Sequence, residues 1–385
     1  LTIVSFVVGM VELIIGGLLD LVAADLNISL AQSGFLITTF LLVFAVSAPV
    51  LLTITSTIER KKLTLLALLV FLISNIAAAV SPAYSILLFA RILSASSGSL
   101  LIVLCVTMAS NVVSKAYRAR AIGIVFMGVS ASLVLGVPIG LLLGNAFGWR
   151  APFILICLLT VLSMIGVYFF MGKLEARPSI PFKDQLRTLK EGKILLAQLI
   201  SFLFLAGHLT LYGYLTPFLK STLQLDGTWV SAMYLIFGVA AVLGGGLGGV
   251  LADRIGTKRT IFSVLVLFAF ILFCIPYTTF ALPLFLIVMV IWSMLSWAIT
   301  PAMQSYLIEI SPETADIQQS LNNSALHFGI AAGSFVGGLV IEHASVEHNA
   351  SVGGLFILAA LMTAVFSIAK GNKRASKVER VESKV

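Results

Sequence analysis

The sequence predicts an all-α integral membrane protein, with twelve transmembrane helices in two pseudo-symmetric six-helix bundles. Three observations carry that expectation: a composition too apolar for water, apolar runs of membrane-spanning length broken once at mid-chain, and a one-sided distribution of Lys and Arg. Of 385 residues, 59% are hydrophobic and 10% charged, whereas soluble domains are about 25% charged. The mean hydropathy is +1.11. Such a chain has too little polar surface to cover itself in water, so lipid is its expected solvent.

A bilayer-spanning helix needs about 20 mostly apolar residues. Short polar breaks cut the first half into runs at 1–21, 31–54, 63–80, 84–110, 121–144 and 152–171. The first run is read as a span and not as a signal peptide, because no basic region precedes it and Glu12 interrupts it. One long polar stretch follows, "MGKLEARPSIPFKDQLRTLKEGK", Met171 to Lys193. The second half repeats the pattern at 195–219, 229–251, 260–276, 282–308, 320–341 and 353–370. The layout is therefore a bundle over 1–171, a linker over 172–193, a bundle over 194–370 and a basic tail over 371–385.

Positively charged loops stay on the cytoplasmic side of a membrane. With both termini placed there, 21 of the 24 Lys and Arg residues fall on that side. Opposite them lie Arg150 and Lys220, while Arg91 lies inside a helix. One missed helix would invert every later loop, so this partition supports the count of twelve. It also accounts for the net charge of +8 without nucleic acid, because the basic residues ring a membrane surface with no interleaved aromatics. Cys105, Cys157 and Cys274 all sit in apolar runs. They lack metal-ligand spacing and read as small buried hydrophobes.

The halves resemble each other. "GGVLADRIGTKR", Gly248 to Arg259, aligns with "VLLTITSTIERKK", Val50 to Lys62, placing Ser56 opposite Asp253 and Glu59 opposite Gly256 at an offset of 197 residues. Related six-helix halves mark secondary transporters, with the substrate site between them near the midplane. "GGGLGG", Gly244 to Gly249, lacks the Lys-Ser/Thr of a phosphate loop and lies at a membrane helix end.

In Gly249, Asp253, Arg254, Gly256, Lys258 and Arg259, the second loop resembles the loop signature of the major facilitator superfamily. Four further stretches resemble the superfamily's drug/proton antiporter branch, in particular its sugar-efflux and arabinose-efflux-like members. They are "GMVELIIGGLLDLVAADLNIS", "RILSASSG", "LGVPIGLLLGNAFGWRAPF" and "SLNNSALHFGIAAGSFVGG". The resemblance implies the major facilitator fold, and it implies gating by the loop residues Glu59, Arg60, Asp253, Arg254, Gly256 and Arg259. Four positions depart from the pattern. Ser56 replaces the family's loop Asp and Glu59 its second Gly, so the cytoplasmic latch is expected to be weaker or carried by Glu59. Phe40 stands where the branch often has Tyr, and His327 where it often has Asn.

Glu12 is the residue most suggestive of chemistry. Desolvation favours the neutral form of a carboxyl group, and acids at lipid depth usually face a cavity. It is read as a proton carrier, the alternative being a neutral packing residue. Arg91 is read as its charge partner or as a structural guanidinium bonded to helix carbonyls. Asp20, about 12 Å further along the helix at 1.5 Å per residue, is placed near the outer mouth, with a role in proton entry. Tyr212, Tyr214, Trp292, Trp297, Gln304 and Asn323 are candidates to line a substrate cavity, and His208 and His327 are candidates for the same lining or for proton relay; packing is the alternative for each. Gly136, Pro138 and Gly140 on one helix, and Gly329 and Gly333 on another, are small residues that let backbones approach closely.

These readings converge on a proton-coupled exporter of a small organic molecule such as a drug, sugar or nucleoside. It would be a monomer in the plasma membrane with both termini cytoplasmic. A proton-coupled importer and a non-transporting membrane sensor are the alternatives. No nucleophile–base set, metal-ligand spacing or nucleotide site points to an enzyme. No cofactor is expected beyond the proton gradient, and the expected partners are the lipid bilayer and the small molecule.

Overall fold

A computed structural model describes residues 1–55, 57–112, 118–172, 187–311 and 314–382. Ser56, Lys115, linker residues 173–186 and the last three residues of the tail lie outside the described residues. The first half forms α1 (Thr2–Leu26), α2 (Leu30–Ile54), α3 (Arg60–Ala79), α4 (Tyr84–Val112), α5 (Arg118–Ala131), α6 (Val137–Phe147) and α7 (Ala151–Phe170). The second half forms α8 (Gly192–Tyr212), α9 (Leu215–Leu223), α10 (Gly227–Ile255), α11 (Thr257–Cys274), α12 (Leu282–Ile310), α13 (Ala315–His343) and α14 (His348–Glu382). Among the described residues, twelve helical segments are long and apolar enough to cross a membrane. Their side chains Leu66, Phe89, Phe169, Phe170, Phe270 and Phe366 are exposed on the outer faces, as a lipid-facing surface requires.

Three elements differ from the expected runs. The fifth span is not one α-helix: a π-helical turn, Ser132–Gly136, joins α5 to α6. The expected run 195–219 is two helices. Pro217 has no N–H to give the Gly213 carbonyl four residues back, so α8 stops at Tyr212 and α9 restarts at Leu215. Finally, the backbone of α14 stays helical through Glu382, beyond the expected end at 370. Ala, Lys, Arg and Glu in that stretch are good helix formers.

Glycine is needed where α10 meets α11. Gly256 has φ 89°, a conformation that a Cβ would strain. Asp226 caps the other end of α10, its Oδ1 accepting from Trp229 N at 2.9 Å. The glycines expected to bring helices together do so, but within bundles. Gly136 and Gly140 lie against Met10 and Ile14 of α1. Gly329 and Gly333 lie against the α8 backbone at Phe202 and Ala206. Pro138, at the first turn of α6, gives up an N–H that helix position leaves spare.

The bundles meet along two seams. In one, α2 packs on α13; in the other, α10 packs on α6 and the π turn. Shifting each helix by six spans converts one seam into the other, as the pseudo-twofold relation of the halves demands.

Candidate functional site

Glu12 lies in mid-membrane, about 15 Å from the start of α1 and about 21 Å from its end at 1.5 Å per residue. Its side chain is 18% exposed. From the other bundle, His327 on α13 brings Nε2 to within 3.5 Å of Glu12 Oε1. The other ring nitrogen, Nδ1, is 2.7 Å from the Asn323 carbonyl, one turn back on α13. The imidazole stacks on Phe44 of α2 with ring centroids 4.6 Å apart, and Phe44 stacks in turn on Phe40 at 5.8 Å.

Arg91 reaches the same place from α4. It is fully buried. Its Nη1 donates to the Val11 carbonyl at 2.7 Å, next in sequence to Glu12. Its guanidinium lies over the Phe40 ring at 4.0 Å. A planar cation favours that aromatic face, and a desolvated contact of this kind is worth up to about 2 kcal/mol. Nε and Nη2 of Arg91 have no hydrogen-bond partner in the structure. Arg91 thus bonds a helix carbonyl and keeps donor capacity beyond that bond, beside Glu12.

A second cluster lies wholly within the second bundle. His208 and Tyr212 of α8 stack at 5.2 Å, and Phe237 of α10, Phe268 of α11 and Trp292 of α12 close around them. His208 Nδ1, the Tyr212 hydroxyl and Trp292 Nε1 are buried without hydrogen-bond partners. Buried polar atoms are nearly always bonded, so this cluster holds three polar atoms with unused hydrogen-bonding capacity.

Other sequence candidates lie elsewhere. Tyr214 seals the bundles: its hydroxyl donates to the Ser334 carbonyl at 2.9 Å, against Gly34 of α2. Asp20 is ion-paired across the bundles with Lys220 of α9, and beside it Thr216 donates to the Gly17 carbonyl at 3.1 Å. These contacts close the end of the bundles distal to the termini. The Gln304 carbonyl accepts from Gln319 Nε2 at 3.3 Å, and Trp297 lies beside Gly245 of α10. Among the loop residues, Glu59 reaches Lys62 at 3.8 Å and Arg60 is buried, while Asp253, Arg254 and Arg259 are exposed.

Several contributors escaped the sequence reading. Phe44, Phe237 and Lys220 carry no signal beyond their residue type. Asp25 accepts from Trp149 Nε1 at 3.0 Å and Arg150 Nη1 at 2.7 Å, and Arg150 Nη2 donates to the Ser81 carbonyl at 2.8 Å. The "GWR" stretch that pointed to the antiporter branch is thus a brace across three loops. Among the described residues, no group of three His, Cys, Asp or Glu side chains is placed to hold a metal ion.

Two related helical bundles enclosing ionisable groups at mid-membrane define a membrane transport protein. Residues 1–334 match the model of the Major Facilitator Superfamily, and the chain belongs to that superfamily. It is 34% identical to the MFS-type transporter YbcL of Bacillus subtilis (strain 168), over 98% of this chain and 97% of that one. It is 31% identical to the inner membrane transport protein YdhP of Escherichia coli (strain K12), over 94% and 95%. Among solved structures, a bacterial homolog to the human lysosomal transporter Spinster, in an inward-facing and unoccupied conformation, superposes with a TM-score of 0.78 at 15% identity, covering 95% of each chain. The human organic anion transporter MFSD10 superposes with a TM-score of 0.69 at 15% identity, over 94% and 97%.

Proposed function

We propose that this transporter exports a small organic molecule in exchange for protons. The observation that carries the reading is Glu12, a carboxyl group at mid-membrane where the two bundles meet, with the buried cation Arg91 beside it. A charge at that depth is costly, and such groups commonly mark proton or substrate pathways. With the termini on the cytoplasmic side, the distal seal faces outward. A proton arriving from outside neutralises Glu12 and favours the form open to the cytoplasm. Substrate binding then favours proton release, because coupling needs a ligand that prefers one state over the other. One charge crossing the field gains about 2.3 kcal/mol per 100 mV, which is enough for roughly a fifty-fold gradient.

The aromatic cluster of the second bundle supplies the candidate recognition surface. Flat rings with unpartnered polar atoms at His208, Tyr212 and Trp292 suit an uncharged ring compound that stacks and hydrogen-bonds, such as a sugar or nucleoside. Everted membrane vesicles energised by respiration and loaded with a pH-sensitive dye test the reading against a panel of drugs, sugars and nucleosides. Alkalinisation of the lumen on adding a compound is expected. Lumenal acidification would mean symport, and no response to any compound class would remove the proton.

A further inference from the structure

Glu12 and His327 belong to different bundles, yet their side chains meet at mid-membrane. The tautomer of His327 follows from its other contact. A backbone carbonyl only accepts, so the 2.7 Å contact with Asn323 places a hydrogen on Nδ1. Nε2 is then the atom that gains or loses a proton, and it is the atom facing Glu12. A neutral carboxyl group can donate to Nε2, or a protonated imidazole can donate to the carboxylate. Both arrangements hold the same single proton.

We propose that Glu12 and His327 carry the coupling proton jointly, and that this proton ties the two bundles together at mid-membrane. The proposal rests on the proton-coupled reading above. Without the proton, a carboxylate faces a neutral imidazole, and Glu12 is free to turn to the unpartnered Nε and Nη2 of Arg91 within its own bundle. With it, Glu12 is held to the opposite bundle. A second proton would leave a neutral acid beside a cation and remove the ion pair again. The connection is therefore strongest when one proton is bound, and proton arrival and release become events at the seam between bundles.

The surroundings leave few competitors. α2 and α6 carry no charged side chain, and α4 contributes Arg91. From α9, Lys220 is taken by Asp20. From α12, Glu309 accepts from Thr257 at 3.0 Å. His208 of α8 sits in the aromatic cluster. Lys193, Arg118 and Arg120 are at helix ends near the linker side, as are the Lys and Arg residues of α14, whereas His348 opens α14 at the distal end, its Nδ1 2.8 Å from Ser345 Oγ.

The test needs no substrate. Purified wild-type protein, Glu12→Gln, His327→Asn and His327→Phe are titrated by infrared difference spectroscopy of the protonated-carboxyl C=O stretch. The four histidines of the chain are followed in parallel by ring-nitrogen NMR. The Phe variant keeps an aromatic ring against Phe44 and serves if the Asn variant misfolds. A carboxyl band that Glu12→Gln abolishes is expected to titrate in the wild type. Its midpoint should move by about one pH unit or more when His327 is replaced. The signal lost in His327→Asn should shift its midpoint in Glu12→Gln. A Glu12 midpoint unchanged in both His327 variants overturns the shared proton and leaves proton coupling by Glu12 standing. If no carboxyl band removed by Glu12→Gln responds to pH in the wild type, both readings fall.

Discussion

Lys220 on the short helix α9 is ion-paired with Asp20 on α1, joining the second bundle to the first at the end distal to the termini. The side chains are only 32% and 25% exposed, so removing one partner leaves the other charge part-buried and unpaired. Lys220→Gln should therefore shift the balance toward the open distal end by roughly fivefold or more. Spin-label distances across that end, measured in nanodiscs, provide the check. Exchanging the charges, Asp20→Lys with Lys220→Asp, should restore most of the wild-type distribution.

Gly34 faces Tyr214 so closely that an added Cβ would overlap the tyrosine hydroxyl and ring. Gly34→Ala should push Tyr214 off the Ser334 carbonyl and cost about 1–3 kcal/mol by overpacking. Tyr214→Phe, which loses only the hydrogen bond, should cost about 1 kcal/mol. Thermal unfolding of the purified variants ranks the two, and equal losses would place the hydroxyl, not the packing, at the centre of the seal.

Glu12→Gln mimics a permanently protonated carboxyl group. It should insert and still bind any compound that the vesicle screen identifies, yet fail to accumulate it against a gradient when a pH difference is imposed. Wild-type uphill rates in proteoliposomes would make Glu12 structural.

Arg91→Lys keeps the charge but loses the planar guanidinium, which both donates to the Val11 carbonyl and covers Phe40. The two cations are not interchangeable at such a site. Proton-driven transport by the Lys variant should fall about tenfold or more, close to the loss in Arg91→Gln. Full activity in Arg91→Lys would show that charge alone matters there.

Orientation is open to direct measurement. Lys62 and Thr228 are exposed at opposite ends of the bundles. In a background lacking the native cysteines, Thr228→Cys in intact cells should react with a membrane-impermeant reagent and Lys62→Cys should not. The reverse pattern would turn the protein over and exchange inside for outside in the mechanism.

The spans were readable from sequence because lipid leaves little choice: backbone polar groups without water must bond within a helix. Irregularities inside the spans were less readable. Pro217 sits within a continuous apolar run, so hydropathy carries 195–219 as one span, and Ser132–Gly136 gives no local hint of a π turn. The site divided in the same way. Glu12 and Arg91 stood out as charges in apolar surroundings. The meeting of Glu12 with His327 depends on how α1 and α13 pack, which one chain of letters does not record. Tyr214 looked like a cavity aromatic and proved to be a bolt between bundles, because its neighbour Gly34 comes from α2.

The π turn at Ser132–Gly136 has a consequence for how the fifth span is geared. A widened turn puts one residue more into the same rise, so the faces above and below it are rotated out of phase. Below the turn α5 packs on α1 and α4; above it α6 stays against α1 and also meets α10, and at the turn itself Gly238 of α10 is drawn against Leu133 and Val134. Deleting one residue from the turn would rephase the upper half by about 100° and disengage α10, much as a missing tooth makes two cogs slip.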